Sequence, residues 1–241
     1  MQNDAILEVS SLYKKYGKTA NFAIYDISFQ CSKGEIVGVL GVNGAGKSTT
    51  LKCITGMIPI TKGNVKICGY DIEKSPLNAK KNFSFVNDSH SVFVKMTGKQ
   101  YLTFMADVYK VPFAERAELL EKLDNIFKLG DDVNKLIESY SHGMKQKICM
   151  MGSLMHKPKL WILDEPMIGL DPRTQSAVID FMKEYVESGK TILFSSHNLD
   201  LVRRICDRVI IIKKGNLVAD IVMTDDLRSQ STLFESYYIG D

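Results

Sequence analysis

The sequence predicts an α/β fold with a mainly parallel sheet, an antiparallel β subdomain and an inserted α-helical subdomain. Three observations support this prediction. Short, almost unbroken apolar runs recur along the chain, as is typical of strands buried in a parallel sheet. Apolar residues with helical spacing fill a long central stretch. The strand pattern then returns and continues toward the end of the chain.

The first part of the chain predicts strands around one helix. We expect the first two strands to pair in an antiparallel arrangement, and "EIVGVL" has the composition of a buried parallel strand. The helix "KSTTLKCITGM" ends near Gly56. The predicted strands cover residues 5–9, 24–29, 35–40, 63–70 and 83–86.

The central stretch from about Thr97 to His156 predicts helices, and the last of them begins near Ser141. Strands return at 159–165, 190–196 and 208–213, and a short hairpin and a terminal helix follow. We therefore expect one domain over residues 1–241. Its core covers approximately 1–87 and 157–241, and its helical subdomain covers approximately 88–156.

The composition limits the partners and the location of the protein. The net charge of the 241 residues is only +3 and the basic residues are scattered, so we expect no nucleic-acid partner. Five dispersed cysteines without a CxxC pair indicate reduced core thiols in a cytosolic protein. We see no signal peptide, and no apolar run approaches the roughly 18–20 residues of a membrane span.

The stretch "GVNGAGKSTT" satisfies the pattern G-x-x-x-x-G-K-[ST] between a buried strand and a helix. Small residues let successive backbone N–H groups surround phosphate oxygens, and the helix N-terminus favours negative charge. The sequence therefore predicts a P-loop, with a lysine that reaches the β- and γ-phosphates and a serine that binds Mg²⁺. The candidate nucleotide-binding residues are Gly41, Asn43, Gly44, Ala45, Gly46, Lys47, Ser48 and Thr49.

A second motif, "LWILDE", places two carboxylates at the end of an apolar strand. A P-loop enzyme needs such a carboxylate as a partner for its metal, so we assign Asp164 to Mg²⁺. Glu165 lies one residue further, where it would polarise the water that attacks the γ-phosphate. GTPases are excluded because Asn134-Lys135 is not followed by the aspartate of N-K-x-D, and small kinases lack "ILDEP" followed by "GLDP".

Six motifs in a fixed order extend over nearly the whole chain. With them the sequence resembles the ATP-binding subunits of ABC transporters. These motifs are "KKYGK" around Tyr16, the P-loop, "YSHGMKQK" (140–147), "LWILDEP" (160–166), "GLDP" (169–172) and "SSHN" (195–198).

The resemblance implies further roles. Tyr16 would stack on the adenine ring, unless it is an ordinary half-buried strand tyrosine. His197 would contact the γ-phosphate and, with Glu165 and Lys47, form the catalytic group. Ser141 and Gly143 would face the γ-phosphate of a different subunit, with Asp171 across the same dimer contact.

The implied partners follow from the same resemblance. One P-loop and one "SHGM" in the chain require a second ATPase subunit, in a homodimer or a heterodimer, to make two composite sites. An integral-membrane permease would dock near residues 87–96, and it would hold the protein at the cytoplasmic face of the cell membrane. Phe93 and Val94 are candidates for exposed contacts there, or they belong to the core.

The sequence departs from the family pattern at two places. "YSHGM" replaces the common L-S-G-G-Q, which resembles the branch that serves exporters and immunity pumps. After "FSFV" the family usually has a glutamine that binds Mg²⁺ and water, and this chain has Asn87 and Asp88. Either residue takes this role or the role is weakened, and we favour Asp88 as a metal ligand.

An alternative function is a soluble ABC-type ATPase that acts on ribosomes or DNA without a permease. Only about 93 residues separate Ser48 from Ser141, which leaves no room for the long coiled coil of chromosome-type relatives. We expect His90 and His156 to be ordinary surface or subdomain residues. Met150, Met151 and Met155 are expected to pack in the core. The transported substrate does not follow from this chain.

Overall fold

The computed structural model describes residues 5–17, 21–88, 93–230 and 234. Two sheets and eight helices are present in this part of the chain. The strands are β1 (Ala5–Lys15), β2 (Phe22–Ser32), β3 (Ile36–Leu40), β4 (Lys62–Ile67), β5 (Tyr70–Asp71), β6 (Phe83–Val86), β7 (Leu160–Asp164), β8 (Thr191–Ser196), β9 (Arg208–Lys213) and β10 (Asn216–Val222). The helices are α1 (Lys47–Ile54), α2 (Pro76–Lys80), α3 (Gly98–Val108), α4 (Phe113–Phe127), α5 (His142–Leu154), α6 (Pro172–Glu187), α7 (Leu199–Ile205) and α8 (Asp225–Ser229).

The larger sheet has six strands in the order β10-β9-β3-β8-β7-β6. All neighbours are parallel except β10, which forms an antiparallel hairpin with β9. Strand β3 is buried on both faces because Ile36 and Leu40 belong to one core cluster and Val37 and Val39 to another. This burial explains the unbroken apolar run and confirms the predicted mainly parallel core.

The smaller sheet is antiparallel, in the order β2-β1-β4-β5. The antiparallel pairing of the first strands was expected, but β1 and β2 are each 11 residues long and extend well beyond the predicted 5–9 and 24–29. Their pairing contains register shifts, and Ser11 and Asp26 adopt positive φ angles of 45° and 50°. These irregularities interrupt the alternation of apolar and polar residues from which a strand is predicted, so the sequence indicated only part of each strand.

Helices α3, α4 and α5 lie between β6 and β7 in the sequence, as the helical insertion predicts. Thr97 and Gln100 form a capping box at the start of α3, and Ser141 caps α5 by accepting a hydrogen bond from the Met144 N–H. The predicted packing methionines of this region are buried: Met150, Met151 and Met155.

The remaining expectations about the fold concern cysteines, membrane spans and histidines. All five cysteines are free thiols, and four of them are buried. No helix in the described ranges has the length and apolar character needed to cross a membrane. His90 lies outside the described residues. His156 is half-buried between the helices and the sheet, where its ring stacks on Tyr109 with 3.7 Å between the ring centroids.

Candidate functional site

The glycine loop joins the end of β3 to the start of α1 at Lys47. Gly46 occupies the N-cap position with a φ of 111°, a conformation that side chains of L-residues strongly disfavour. A Cβ atom at Gly41 would lie 2.4 Å from the carbonyl oxygen of Ile212 in β9. Glycine is therefore required at these two positions for the loop to turn tightly against the sheet.

Lys47 lies in the first turn of α1, and its side chain is buried to all but 6%. Its Nζ donates a hydrogen bond of 2.8 Å to the carbonyl oxygen of Gly41 and lies 3.7 Å from Oε1 of Glu165. The first N–H groups of α1 have no partner within the helix. The loop therefore combines one ammonium group with several backbone donors, which together suit a polyanion.

Asp164 ends β7 and is almost completely buried. Its Oδ1 accepts hydrogen bonds from the hydroxyl groups of Ser48, at 3.1 Å, and Ser195, at 2.5 Å. Among the described residues, its Oδ2 has no hydrogen-bond partner. A buried carboxylate oxygen without a partner is costly, and it fits a site that a divalent cation completes with hard oxygen ligands.

Glu165 follows β7 with a φ of 51°, which is unusual for a residue other than glycine. Its backbone N–H donates to the hydroxyl of Ser195 at 3.0 Å. Its Oε1 lies 3.0 Å from Nδ1 of His197, which follows β8. The carboxylate therefore lies between the ammonium of Lys47 and the imidazole of His197.

Lys47, Ser48, Glu165 and His197 line one cavity of about 410 Å³ at the carboxyl ends of the parallel strands. Asp164 does not line the cavity itself and contacts it through its hydrogen bond with Ser48. Asp88 also lines it and forms a 3.9 Å ion pair with Lys52 of α1. Asn87 instead lines a neighbouring cavity of about 320 Å³ between the sheet and α3. The residues that line the site cavity are Ala23, Asn43, Gly44, Gly46, Lys47, Ser48, Thr49, Asp88, Glu165, Ile168 and His197.

The structure does not bring the other candidates to this cavity. Tyr16 is about half exposed, and the ammonium of Lys14 lies 5.0 Å from its ring centroid. Gly41 and Ala45 belong to the glycine loop but do not line the cavity, and Gly41 lies against Ile212 of β9. Ser141, Gly143 and Asp171 form a separate group at the N-termini of α5 and α6.

This second group is held together by close contacts. A Cβ atom at Gly143 would lie 2.3 Å from the carbonyl oxygen of Gly169. Asp171 caps α6 through the N–H and hydroxyl of Thr174, and it pairs with Lys147 of α5 at 3.1 Å. The hydrogen bonds from Thr174, followed by the bond from Lys147, hold the pKa of the Asp171 carboxyl well below its usual range.

Sequence reasoning missed four residues that contact the site. Ser195 bonds to Asp164 and to Glu165, and Lys52 pairs with Asp88. Ala23 and Ile168 line the cavity. Only Ser195 had a signal in the sequence, because it belongs to the "SSHN" motif that also contains His197.

Comparisons with known proteins show the family of the chain. The family model described as ABC transporter matches residues 24–168. The chain belongs to the ABC transporter family. It is 34% identical over 220 residues to the linearmycin resistance ATP-binding protein LnrL of Bacillus subtilis, covering 91% of this chain and 70% of that protein.

A second relative is longer than this chain. The probable multidrug ABC transporter ATP-binding protein YbhF of Escherichia coli is 32% identical over 229 residues, which are 95% of this chain and 39% of that protein. The family assignment makes this ABC protein an ATP-binding and ATP-hydrolysing subunit. Because the relatives are ATP-binding proteins of transporters, they do not favour the alternative of a soluble ATPase that acts on ribosomes or DNA.

Solved structures share the fold. An ATP-binding subunit of an ABC transporter superposes with a TM-score of 0.89 at 33% identity, covering 96% of this chain and 98% of that chain. A dimeric ATP-binding cassette, MJ0796, in a post-hydrolysis state with ADP and Pi, gives a TM-score of 0.81 at 21% identity, covering 90% of this chain and 99% of that chain. The second likeness concerns the fold alone.

Proposed function

We propose that this ABC subunit powers an exporter, and that the cavity formed by Lys47, Glu165 and His197 is its ATP hydrolysis site. The observation that carries this proposal is the position of Glu165, whose carboxylate lies 3.0 Å from His197 and 3.7 Å from Lys47 beside the glycine loop. The name of LnrL, a resistance protein, and the "YSHGM" signature support export.

In this proposal the loop residues of the cavity bind the triphosphate of ATP through backbone N–H groups, and Lys47 neutralises the β- and γ-phosphates. Lys47 donates to the Gly41 carbonyl in this structure, so phosphate oxygens would compete for the same ammonium protons. Tyr16 directly follows β1, is about half exposed and is the proposed adenine contact.

Mg²⁺ bound with ATP would supply positive charge beside the transferred phosphate. Ser48 and Asp164 would hold this ion, since the hydroxyl and carboxylate are 3.1 Å apart and Oδ2 of Asp164 is available as an acceptor. Asp88 is the proposed additional ligand because, unlike Asn87, it lines the cavity.

Glu165 is the proposed general base. It accepts a proton from the water that attacks the γ-phosphorus, and the bond between this phosphorus and the β,γ-bridging oxygen breaks to release ADP and phosphate. His197 orients Glu165 and contacts the γ-phosphate. General-base catalysis contributes roughly 10²–10⁴ in rate.

We also propose that two subunits close around two ATP molecules, as a homodimer or a heterodimer. Ser141 and Gly143 would contact the γ-phosphate of the opposite subunit, near Asp171. They do not line the site cavity of their own chain but lie at the N-terminus of α5, where anions are favoured. The MJ0796 cassette, which has the same fold, is dimeric.

A membrane permease is the proposed partner that places the subunit at the cytoplasmic face of the membrane. The cavity between the sheet and the helical subdomain would receive it, at the junction near the proposed domain boundary of residues 87–88. Phe93 and Val94 are exposed, and the ring of Phe93 packs on Phe104 of α3, the helix that lines this cavity, so both would contribute apolar contacts. Co-purification with a membrane protein from detergent extracts tests this partner.

The Glu165→Gln variant tests the site itself. We expect normal ATP binding, a fall in turnover of at least about 100-fold, and an ATP-dependent dimer on size-exclusion chromatography. Glu121→Gln, on the exposed side of α4, is the matched control and should behave as wild type. Normal hydrolysis by Glu165→Gln would remove the catalytic assignment.

A further inference from the structure

Ser195 lies on β8, directly beside Asp164 of β7 in the parallel register. Its side chain is completely buried. The hydroxyl donates to Oδ1 of Asp164 at 2.5 Å and accepts from the backbone N–H of Glu165 at 3.0 Å. A serine hydroxyl has one proton to donate, so this proton is committed to Asp164 and the oxygen to Glu165.

The bond to Asp164 fixes which carboxylate oxygen remains available. Oδ1 accepts from both Ser195 and Ser48, whereas the buried Oδ2 has no partner in the described ranges. Without the hydroxyl of Ser195, the carboxylate would keep one donor and would be free to rotate. Ser195 therefore holds the carboxylate with Oδ2 as its open acceptor.

The bond to Glu165 acts on the backbone. Glu165 has a φ of 51°, a conformation that persists at functional sites only where its surroundings enforce it. Ser195 holds the N–H of this residue, and His197 lies against its carboxylate at 3.0 Å. Ser195 of β8 thus fixes the backbone of Glu165, and His197, directly after β8, contacts its side chain.

We propose that Ser195 is a positioning residue for hydrolysis, with a single hydroxyl that sets the orientation of the metal-binding carboxylate and of the general base. This inference rests on the proposed function of Asp164 and Glu165. It predicts an effect on metal-assisted binding and on turnover, with little effect on metal-free ATP binding, because Ser195 itself does not line the cavity.

The test compares Ser195→Ala with Ser153→Ala. Ser153 is a matched control because it is also buried and also makes two hydrogen bonds, accepting from Nε1 of Trp161 at 2.9 Å and donating to the Met150 carbonyl at 2.7 Å. It lies in α5 outside the site cavity. Each variant loses one donated and one accepted hydrogen bond, so a general loss of stability should affect both.

Two quantities are measured on folded protein, together with the melting temperature. The first is kcat for ATP hydrolysis. The second is the ratio of ATP affinities with Mn²⁺ and with EDTA, measured in a Glu165→Gln background that prevents turnover. For Ser195→Ala we expect kcat to fall about 10- to 100-fold. The Mn²⁺ gain, by which we mean the ratio of the ATP affinity with Mn²⁺ to that with EDTA, should fall about 3- to 10-fold. The ATP affinity in EDTA should stay within about twofold of the wild type.

Ser153→Ala should keep both quantities within about twofold of wild type, even if its melting temperature falls. The proposal is overturned if Ser195→Ala keeps wild-type kcat and Mn²⁺ gain, or if Ser153→Ala loses them equally. A Glu165→Gln protein that still hydrolyses ATP would instead remove the proposed function. An inactive Glu165→Gln protein beside a fully active Ser195→Ala protein removes only the role of Ser195.

Discussion

Gln146 donates a buried hydrogen bond of 2.9 Å from its side-chain nitrogen to the carbonyl oxygen of Pro166, the residue directly after Glu165. Gln146 is almost completely buried in α5, two turns or less from the "YSHGM" signature. This bond joins the signature helix to the segment that carries the proposed general base of the same chain. In the proposed dimer, a shift of α5 at one composite site would therefore move Glu165 at the other.

The Gln146→Met variant tests this connection. Methionine has a similar length and no hydrogen-bond donor, so the Pro166 carbonyl loses its buried partner. We expect a loss of about 1–3 kcal/mol in unfolding free energy and a less cooperative dependence of the ATPase rate on ATP concentration. Urea denaturation and steady-state kinetics measure the two effects.

Gln100→Met is the control for this experiment. Gln100 also makes a side-chain hydrogen bond, to the backbone of Thr97, but at the exposed N-terminus of α3. It should lose some helix stability and keep the ATP dependence of the wild type. Unchanged cooperativity in Gln146→Met would show that the bond carries no coupling between sites.

Asp88 and Asn87 give a second prediction because they face different cavities. Asp88→Ala should lower kcat by about tenfold or more and raise the Mg²⁺ concentration needed for half-maximal activity, because it removes a carboxylate beside the proposed metal site. Asn87→Ala should retain the Mg²⁺ dependence of the wild type. A Mg²⁺ titration of both variants decides the assignment, and the reverse result would transfer the role to Asn87.

The third prediction concerns the close approach of Gly143 to Gly169. The Gly143→Ala variant places a methyl group 2.3 Å from a backbone oxygen, so α5 and the segment before α6 must separate. We expect a loss of about 1–3 kcal/mol in stability and loss of the ATP-dependent dimer in the Glu165→Gln background. Calorimetry and size-exclusion chromatography measure these effects.

Ser141→Gly provides the comparison for Gly143→Ala. It changes the same segment without adding volume, and glycine at an N-cap costs only a few tenths of a kcal/mol. Its melting temperature should stay close to that of the wild type. Equal melting temperatures for Gly143→Ala and the wild type would contradict the steric interpretation.

Local signals explain why much of the fold and site was predictable. The strand at 83–86 was predicted with its observed bounds, since "FSFV" is a short apolar run between polar residues. The P-loop depends on glycines at fixed spacing, and the structure shows a positive φ or a close backbone contact at Gly41 and Gly46. Each of these features is contained within about ten residues of sequence.

Contacts between distant residues were not predictable in this way. The hydroxyl of Ser195 reaches Asp164 across neighbouring strands, and Gln146 reaches Pro166 from another element. Serine and glutamine are common residues, and only the register of β7 with β8 or the packing of α5 gives them partners. His156, expected to be an ordinary surface or subdomain residue, is likewise defined by its stack on Tyr109.

The last prediction is a pH dependence of stability that originates at His156. Burial, opposed by the hydrogen bond to the Phe83 carbonyl and reinforced by the charge of Lys190, lowers the pKa of His156 from 6.5 to about 4. The unfolded chain therefore binds more protons between these two pH values. The stability that His156 contributes is complete above about pH 6.5 and is lost as the pH falls toward 4.

His156→Phe isolates this effect because phenylalanine keeps an aromatic ring against Tyr109 and cannot ionise. At pH 7.5 the wild type should be the more stable protein, and its advantage should shrink by on the order of 2 kcal/mol at pH 4.5. Urea denaturation of both proteins across this range measures the difference, in which other titrating groups cancel. Parallel pH profiles would mean that His156 has the same pKa in the folded and the unfolded protein, and they would contradict the prediction.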